Sequence, residues 1–218
     1  MGLRVEVVTV TPFQQNCSVI WCEQTLQGAV IDPGGDIDQI MKVIVSNQLR
    51  VSKILLTHGH LDHAGGAAAL SRELEVKIIG PHQQDEFWLE GMEKQAQSYG
   101  FAGVEICHPD QWLNDGDRID VGNETLEVYH CPGHTPGHVI FFHRQSHLAF
   151  VGDVLFKGSI GRTDFPRGDF NTLINSITQK LWPLGNETRF VSGHGPLSSF
   201  GVERESNPFV SDSALLEK

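Results

Sequence analysis

The sequence predicts an α/β fold in which two β-sheets pack face to face with helices on their outer sides. A group of short β-rich runs with interspersed helical segments occurs twice, once in each half of the chain. The 218 residues suffice for one sizeable core, and hydrophobic residues at 39% with charged residues at 20% are typical of a globular protein. Two stacked sheets covered by helices satisfy this order of elements.

The first half of the chain begins with strands. Residues 5–10, 17–22 and 29–31 are short β-rich runs separated by turns, which indicates an antiparallel meander. From Ile37 onward, apolar residues recur at helical spacing, so a helix follows the glycine-rich turn. Residues 51–56 then have the composition of a buried strand, and a histidine-rich segment follows directly.

The rest of the chain repeats this alternation of helices and strands. The predicted elements are a helix at 67–74, a strand at 76–80, a helix at 83–97, strands at 125–130, 139–143 and 148–151, a helix at 171–181 and a strand at 189–192. Turns rich in glycine, proline and serine separate the three middle strands, which indicates a second meander.

Charge and cysteine content exclude several classes of protein. A net charge of -11 is unsuited to a surface that neutralises phosphates, so we expect no nucleic-acid partner. The four cysteines form no C-x-x-C pair and are expected to be buried thiols in a reducing compartment. The sequence has neither a long apolar run nor a signal-peptide pattern, so we expect no membrane association and a cytoplasmic location.

The histidine-rich segment carries the strongest chemical signal. His58, His60 and Asp62 occupy alternate positions, so in an extended segment their side chains project from one side, while His63 turns away. Imidazole nitrogens and carboxylate oxygens are ligands for zinc, iron and manganese. Four such groups within six residues predict a metal site, and their two directions predict two metals. Asp62 could also cap a helix that begins nearby.

Three distant residues are candidates for the remaining ligands. His134 lies in a turn-rich segment after a strand, and His194 lies between two glycines after another strand. Asp153 ends a buried apolar run, where a carboxylate is costly unless it is paired or bound to metal. Each residue alone is as well explained by a structural role, but together with the cluster they supply the missing ligands. Of the other histidines, expected to be structural or exposed, His138 is the best candidate to contact a ligand.

Four motifs, in this order, resemble the metallo-β-lactamase-fold superfamily. They are Thr-His-Gly-His-Leu-Asp-His at residues 57–63, Pro-Gly-His-Thr-Pro-Gly at 132–137, Gly-Asp at 152–153 and Gly-His-Gly at 193–195. The likeness spans nearly the whole chain. Residues 158–165 and 203–209 further resemble the short bacterial branch that is similar to glyoxalase II, a hydroxyacylglutathione hydrolase.

The resemblance implies a fold, a ligand set and an activity. The implied fold is a four-layer αββα sandwich of two mixed β-sheets flanked by helices, with the site at one edge of the sheets. The implied ligands are His58, His60 and His134 for one metal, Asp62, His63 and His194 for a second, and Asp153 as a bridge between them. The nucleophile would be a hydroxide shared by two divalent metals, zinc first with iron or manganese as alternatives, and Asp62 could orient it. The implied substrate is a small molecule, S-lactoylglutathione or a related acyl thioester.

Two departures from the glyoxalase II pattern concern substrate recognition. Full-length glyoxalase II carries a C-terminal helical domain that contributes basic residues to glutathione binding, whereas a short tail follows His194 here. We therefore expect a single metallo-β-lactamase-like domain over residues 1–218 without that helical domain. Where those enzymes use Lys and Tyr for the glycine carboxylate, this chain has Arg162, which could clamp a carboxylate or form a salt bridge to Asp164 or Asp169.

The resemblance also leaves a second activity open. Persulfide dioxygenases share the cluster and the segment at 161–165, and they use a single iron held by two His and one Asp. The retained His194, a ligand of the second metal in the hydrolases, favours the thioesterase. A β-lactamase is disfavoured because such enzymes are normally exported, and nucleic-acid processing is disfavoured by the acidic charge.

Overall fold

Two β-sheets lie face to face between two layers of helices in the computed structural model, which describes residues 2–101 and 104–216. The predicted αββα sandwich is confirmed. The predicted single domain over residues 1–218 also includes residues 1, 102, 103, 217 and 218, which lie outside the described residues.

The strands form two mixed sheets and one small hairpin. The first sheet contains β1 (Leu3–Val10), β2 (Gln15–Cys22), β3 (Gln27–Ile31), β4 (Arg50–Leu55) and β5 (Lys77–Ile79), in that spatial order. The later strands are β6 (Arg118–Val121), β7 (Glu124–His130), β8 (Val139–His143), β9 (Leu148–Gly152), β10 (Leu155–Phe156), β11 (Ser159–Ile160), β12 (Arg189–Ser192) and β13 (Ser198–Ser199). The second sheet has the order β13-β12-β9-β8-β7-β6, and β10 pairs with β11.

Both sheets combine antiparallel and parallel pairs. Strands β1 to β3 form the predicted antiparallel meander, and β4 and β5 continue the sheet in parallel. Strands β6 to β9 form the second meander, and β12 joins β9 in parallel. Because β7, β9 and β12 run in the same direction, their carboxyl ends reach one edge of the second sheet.

The helices cover the outer faces of the two sheets. They are α1 (Ile37–Ser46), α2 (Leu61–Ala64), α3 (Ala67–Leu74), α4 (Glu86–Glu90), α5 (Met92–Tyr99), α6 (Phe170–Ser176), α7 (Phe200–Ser206) and α8 (Asp212–Leu216). Apolar residues of α1 and α3 pack on the first sheet, and those of α6 and α7 pack on the second. Within the described residues, no helix is both long and apolar enough to cross a membrane.

Strand β8 shows why the interior strands are apolar on both faces. Phe141 belongs to the core between the sheets, whereas Ile140 and Phe142 belong to the core between the second sheet and its helices. All five residues of β8 are buried, as expected for a strand covered on both sides.

The elements predicted from the sequence are present, with differences at particular residues. The helix predicted over 83–97 is interrupted at Gly91, where α4 gives way to α5. In the helix predicted over 171–181, the α-helical part ends at Ser176 and Ile177–Leu181 form a π-helical turn. Strand β6 and helices α7 and α8 were not predicted, since they are short and weakly patterned.

Candidate metal centre

The seven residues predicted as ligands meet at one edge of the sandwich. The His58–His63 segment follows β4 of the first sheet, whereas the other three residues follow β7, β9 and β12 of the second sheet. The structure thus brings together side chains that are separated by up to 136 positions in the sequence, from His58 to His194.

Three imidazoles form the first group of the site. His58 Nε2 lies 3.1 Å from His60 Nδ1, and His134 Nε2 lies 3.0 Å from the same atom. All three residues are buried. Their convergence on one point is the arrangement that a divalent cation with nitrogen ligands requires.

Asp62, His63 and His194 form the second group. Asp62 Oδ2 lies 3.0 Å from His194 Nε2 and 3.8 Å from His63 Nε2. Asp62 and His194 are less buried than the three imidazoles of the first group, so this group faces the solvent side of the site.

Asp153 lies between the two groups. Its Oδ1 is 3.3 Å from His63 Nε2, and its Oδ2 is 3.6 Å from His134 Nε2 and 3.7 Å from His194 Nε2. One carboxylate therefore contacts members of both groups.

Hydrogen bonds on the outer ring nitrogens fix the orientation of four of the imidazoles. His134 Nδ1 lies 2.7 Å from the carbonyl oxygen of Arg162, and His194 Nδ1 lies 3.1 Å from that of Phe13. Since a carbonyl can only accept, both Nδ1 atoms donate and both Nε2 lone pairs face the site. His63 donates likewise to the carboxylate of Asp32 at 2.8 Å, and His58 Nδ1 lies 3.0 Å from the Thr57 hydroxyl.

Burial and charge give the two groups different affinities for protons. Burial lowers the pKa of His60 to about 3 and, together with the neighbouring histidines, lowers the pKa of His58 well below its ordinary value. Burial also opposes protonation of His63, but the charges of Asp153 and Asp62 outweigh it and raise the pKa of His63 well above its ordinary value. The first group is therefore neutral, and the second attracts positive charge.

The donor set fits metal ions. Among the described residues, His63 Nε2 and Asp153 Oδ1 are buried atoms without a hydrogen-bond partner, and both face the centre of the site. A buried ring nitrogen and a buried carboxylate oxygen are costly unless a partner such as a metal ion satisfies them. Nitrogen and oxygen ligands without thiolate suit zinc, iron and manganese.

The backbone at Asp62 differs from the prediction. The segment is not extended throughout, because α2 begins at Leu61 and His60 occupies the position before it. Asp62 and His63 thus lie on one helical turn, and the expectation that Asp62 caps a helix is wrong. Successive residues on a helical turn point in different directions, which explains how Asp62 and His63 approach a common point from separate sides.

Two buried aspartates that support the candidate ligands were not predicted. Asp32 accepts hydrogen bonds from the Thr57 N–H at 2.7 Å and the Thr57 hydroxyl at 2.6 Å, in addition to its contact with His63. It ends a buried strand, so the argument applied to Asp153 could have found it.

The second is Asp85, which holds two ligand-bearing loops together. Its Oδ2 accepts from the Gly59 N–H at 2.9 Å and the Thr135 hydroxyl at 2.7 Å, and its Oδ1 accepts from the Gly137 N–H at 2.6 Å. Burial raises the pKa of Asp85 to about 6, although these three hydrogen bonds oppose the rise. No sequence signal distinguished it, because an acidic residue near a helix start is ordinary.

His138 contacts two of the candidate ligands. Its ring stacks on that of His58 with 4.6 Å between centroids, and its Nε2 accepts from the Asp153 N–H at 3.1 Å. His143, by contrast, is buried far from the seven residues and bonds with Glu124 and Ser146.

Arg162 lies at the rim of the site in a salt bridge. Its Nε and Nη2 donate to the two carboxylate oxygens of Asp164 at 2.6 and 2.7 Å, and the guanidinium lies 4.2 Å from the ring centre of Phe165. Of the two carboxylates considered from the sequence, Asp164 is the partner. Asp169 instead caps α6 by accepting from the Thr172 N–H.

A cavity of about 540 Å³ opens onto both groups. Its walls are largely aromatic and include Phe13, Trp88, Tyr99 and Phe165. The volume is in the range of small-molecule sites, so a substrate can reach the seven residues from outside.

The chain is similar to a known family and to a known enzyme over most of its length. The model of the metallo-beta-lactamase superfamily matches residues 10–194. The hydroxyacylglutathione hydrolase GloC of Haemophilus influenzae is 43% identical over 97% of this chain and 100% of its own.

Two solved structures agree in fold and in extent. The B3 metallo-beta-lactamase BLEG-1 superposes with a TM-score of 0.87 at 33% identity, covering 95% of this chain and 99% of its own. The protein TTHA1623 in a di-iron-bound form superposes with a TM-score of 0.86 at 35% identity, covering 94% and 100%.

The role of Asp85 can be tested with Asp85→Asn. An amide retains one acceptor and turns an N–H group towards a backbone N–H, so the free energy of unfolding should fall by about 1–3 kcal/mol. Metal affinity should fall as well, because the loops of His60 and His134 lose their common anchor. Denaturant unfolding of metal-free protein and metal titration measure the two effects.

Asp117→Asn is the matched control, since the half-buried Asp117 side chain accepts a hydrogen bond from the Asn114 N–H. Its stability should change by ~0.5 kcal/mol or less. Equal stability of the two variants would show that Asp85 does not anchor the loops.

Proposed function

The chain belongs to the metallo-β-lactamase superfamily, and on that premise we propose that it is a metal-dependent thioesterase acting on S-lactoylglutathione or a related acyl thioester. The observation that carries the proposal is the pair of complete ligand groups joined by Asp153 at the floor of one cavity. The similarity to a hydroxyacylglutathione hydrolase supports the choice of substrate.

In this proposal the seven residues hold two divalent ions. His58, His60 and His134 would bind one, and Asp62, His63 and His194 would bind the other. Asp153 would contact both. Zinc is our first assignment, with iron or manganese as alternatives, because this donor set discriminates weakly among them.

The reaction divides into tasks for particular side chains. Bound ions supply Lewis acidity, which lowers the pKa of water towards neutrality and polarises a carbonyl oxygen. Asp62 orients the attacking water through its carboxylate, whose Oδ2 lies 3.0 Å from His194 Nε2. The sulfur departs as a thiolate, which is a good leaving group, so no side-chain acid is needed to protonate it first.

The proposal distinguishes this chain from a persulfide dioxygenase with a single iron. Asp62, His63 and His194 favour a second ion and so the thioesterase, because their three ligand atoms lie within 4.8 Å of one another. Oxygen consumption with glutathione persulfide, measured beside thioester hydrolysis, separates the two activities. Hydrolysis of a β-lactam should be measured in the same experiment, because the structurally similar BLEG-1 is a B3 metallo-beta-lactamase.

The first prediction concerns metal content. The purified protein should contain close to two transition-metal ions, and His134→Ala and His194→Ala should each lose about one, since each residue belongs to a different group. Elemental analysis of folded protein measures this. One iron in the parent chain, unchanged in His194→Ala, would contradict the two-ion assignment.

The second prediction concerns Asp153, whose carboxylate contacts both groups. Asp153→Ala should lose at least one metal and nearly all hydrolysis, because the charge that offsets repulsion between the ions is gone. Asp153→Asn should retain more metal but remain severely impaired, with the loss in kcat rather than in KM alone. Asp115→Ala, which removes an exposed carboxylate paired with Lys180, is the control. Near-normal kcat and metal content in Asp153→Ala would refute the bridging role.

The third prediction concerns Arg162, which we propose binds the anionic part of the substrate. Arg162→Ala should raise KM for S-lactoylglutathione about three- to fivefold with kcat nearly unchanged. This change in KM corresponds to the free energy of an exposed ion pair. Asp164→Ala should lower KM, because it frees Nε and Nη2 for the substrate.

Arg72→Ala is the control, since Arg72 also forms a two-point bridge, with Glu105, on another part of the surface. If KM responds to none of these changes, Arg162 has a structural role only.

A further inference from the structure

The cavity above the candidate metal centre has aromatic side chains beside both ligand groups. Trp88 and Phe165 contact the ring of His60, with centroid distances of 4.5 and 4.8 Å. On the other side, Phe156 lies 6.2 Å from the ring of His194. Whichever way a substrate lies across the centre, it meets an apolar surface.

The mouth of the cavity is aromatic too. Phe13 packs edge-on against Tyr99, with 5.4 Å between ring centroids, and in a tilted arrangement against Phe101 at 5.1 Å. Phe13 is nevertheless 40% exposed and Tyr99 is 53% exposed. Neighbouring aromatic rings left in contact with water at a cavity entrance are typical of a binding surface.

Two polar side chains of the wall outside the candidate ligand set are occupied by protein partners. Gln95 accepts from the Leu61 N–H at 3.0 Å and donates to the carbonyl oxygen of Trp88 at 2.8 Å. Arg162 is the single Lys or Arg among the described residues that line the cavity, and Asp164 already binds it at two points. Glutathione carries two carboxylates, so this wall offers little to its second one.

The cavity is also larger than a lactoyl group needs. A lactoyl group ends in a methyl group, whereas a cavity of about 540 Å³ holds a much larger molecule. Aromatic walls bind flat apolar groups most favourably, because such groups bury apolar area against the rings and can stack on them.

We propose that this cavity selects thioesters that carry an apolar, preferably aromatic, group next to the thioester carbonyl or sulfur. The inference rests on the proposed thioesterase function and narrows its substrate class. The apolar group enters either on the acyl side or on the thiol side, and the chemistry of recognition is the same for both.

Two pairs of substrates test the inference with metal-loaded protein. In the acyl pair, S-mandeloylglutathione differs from S-lactoylglutathione by a phenyl group in place of a methyl group. In the thiol pair, the S-lactoyl ester of benzyl mercaptan is compared with that of N-acetylcysteamine, whose thiol is of similar acidity. In at least one pair the aromatic member should have a kcat/KM about tenfold higher, mainly through KM.

Substitutions in the cavity wall identify the surface that binds the apolar group. Tyr99→Ser should abolish the preference if the group binds at the mouth, and Phe165→Ser should abolish it if the group binds beside His60. Val45→Ser, which changes an exposed apolar residue on α1 away from the cavity, is the control and should leave the preference intact.

The outcomes distinguish a failure of this inference from a failure of the proposed thioesterase function. If S-lactoylglutathione is hydrolysed and neither aromatic member is preferred, the apolar selection is refuted and the thioesterase stands. If the preference exists but survives both wall variants, selection by this wall is refuted. If metal-loaded protein hydrolyses none of the four thioesters, the thioesterase proposal fails, and the inference falls with it.

Discussion

Hydrogen bonds on the outer nitrogens of the clustered histidines govern the chemistry of this site. An imidazole that donates from one nitrogen to a carbonyl or carboxylate has its other nitrogen held in a fixed direction. In His63, His134 and His194 the acceptors are Asp32 and the carbonyl oxygens of Arg162 and Phe13. The inner ring nitrogens are therefore aimed inward before any ion arrives, and little reorganisation is left for binding.

The fold supplies these acceptors from both halves of the sandwich. Asp32 follows β3 in the first sheet, whereas Arg162 follows the small β10-β11 hairpin. Asp85 adds a direct connection, because it ties the loop around Gly59 to the loop around Thr135 and Gly137. The relative position of the two sheets thus determines the geometry at their shared edge, and core residues such as Phe141 contribute to the site through that position.

Much of the site could be predicted from sequence because ligand chemistry is local. His58, His60, Asp62 and His63 are clustered, and a carboxylate such as Asp153 at the end of a buried strand has few explanations. Asp85 could not be found in this way, since its partners are 26 and 50 or more residues away and nothing nearby marks it. The helical turn at Leu61 was missed because four residues are too few to show a period. The aromatic wall was missed for a related reason: its members come from separate parts of the chain, and each alone resembles an ordinary core residue.

The use of backbone carbonyls at positions 13 and 162 as acceptors has an evolutionary consequence. At both positions the main chain orients a histidine while the side chain of the same residue lines the cavity. A substitution there exchanges the surface that meets the substrate and keeps the atom that holds the histidine. Specificity can therefore diverge among descendants of such a protein by single changes, without an intermediate that has lost its catalytic core.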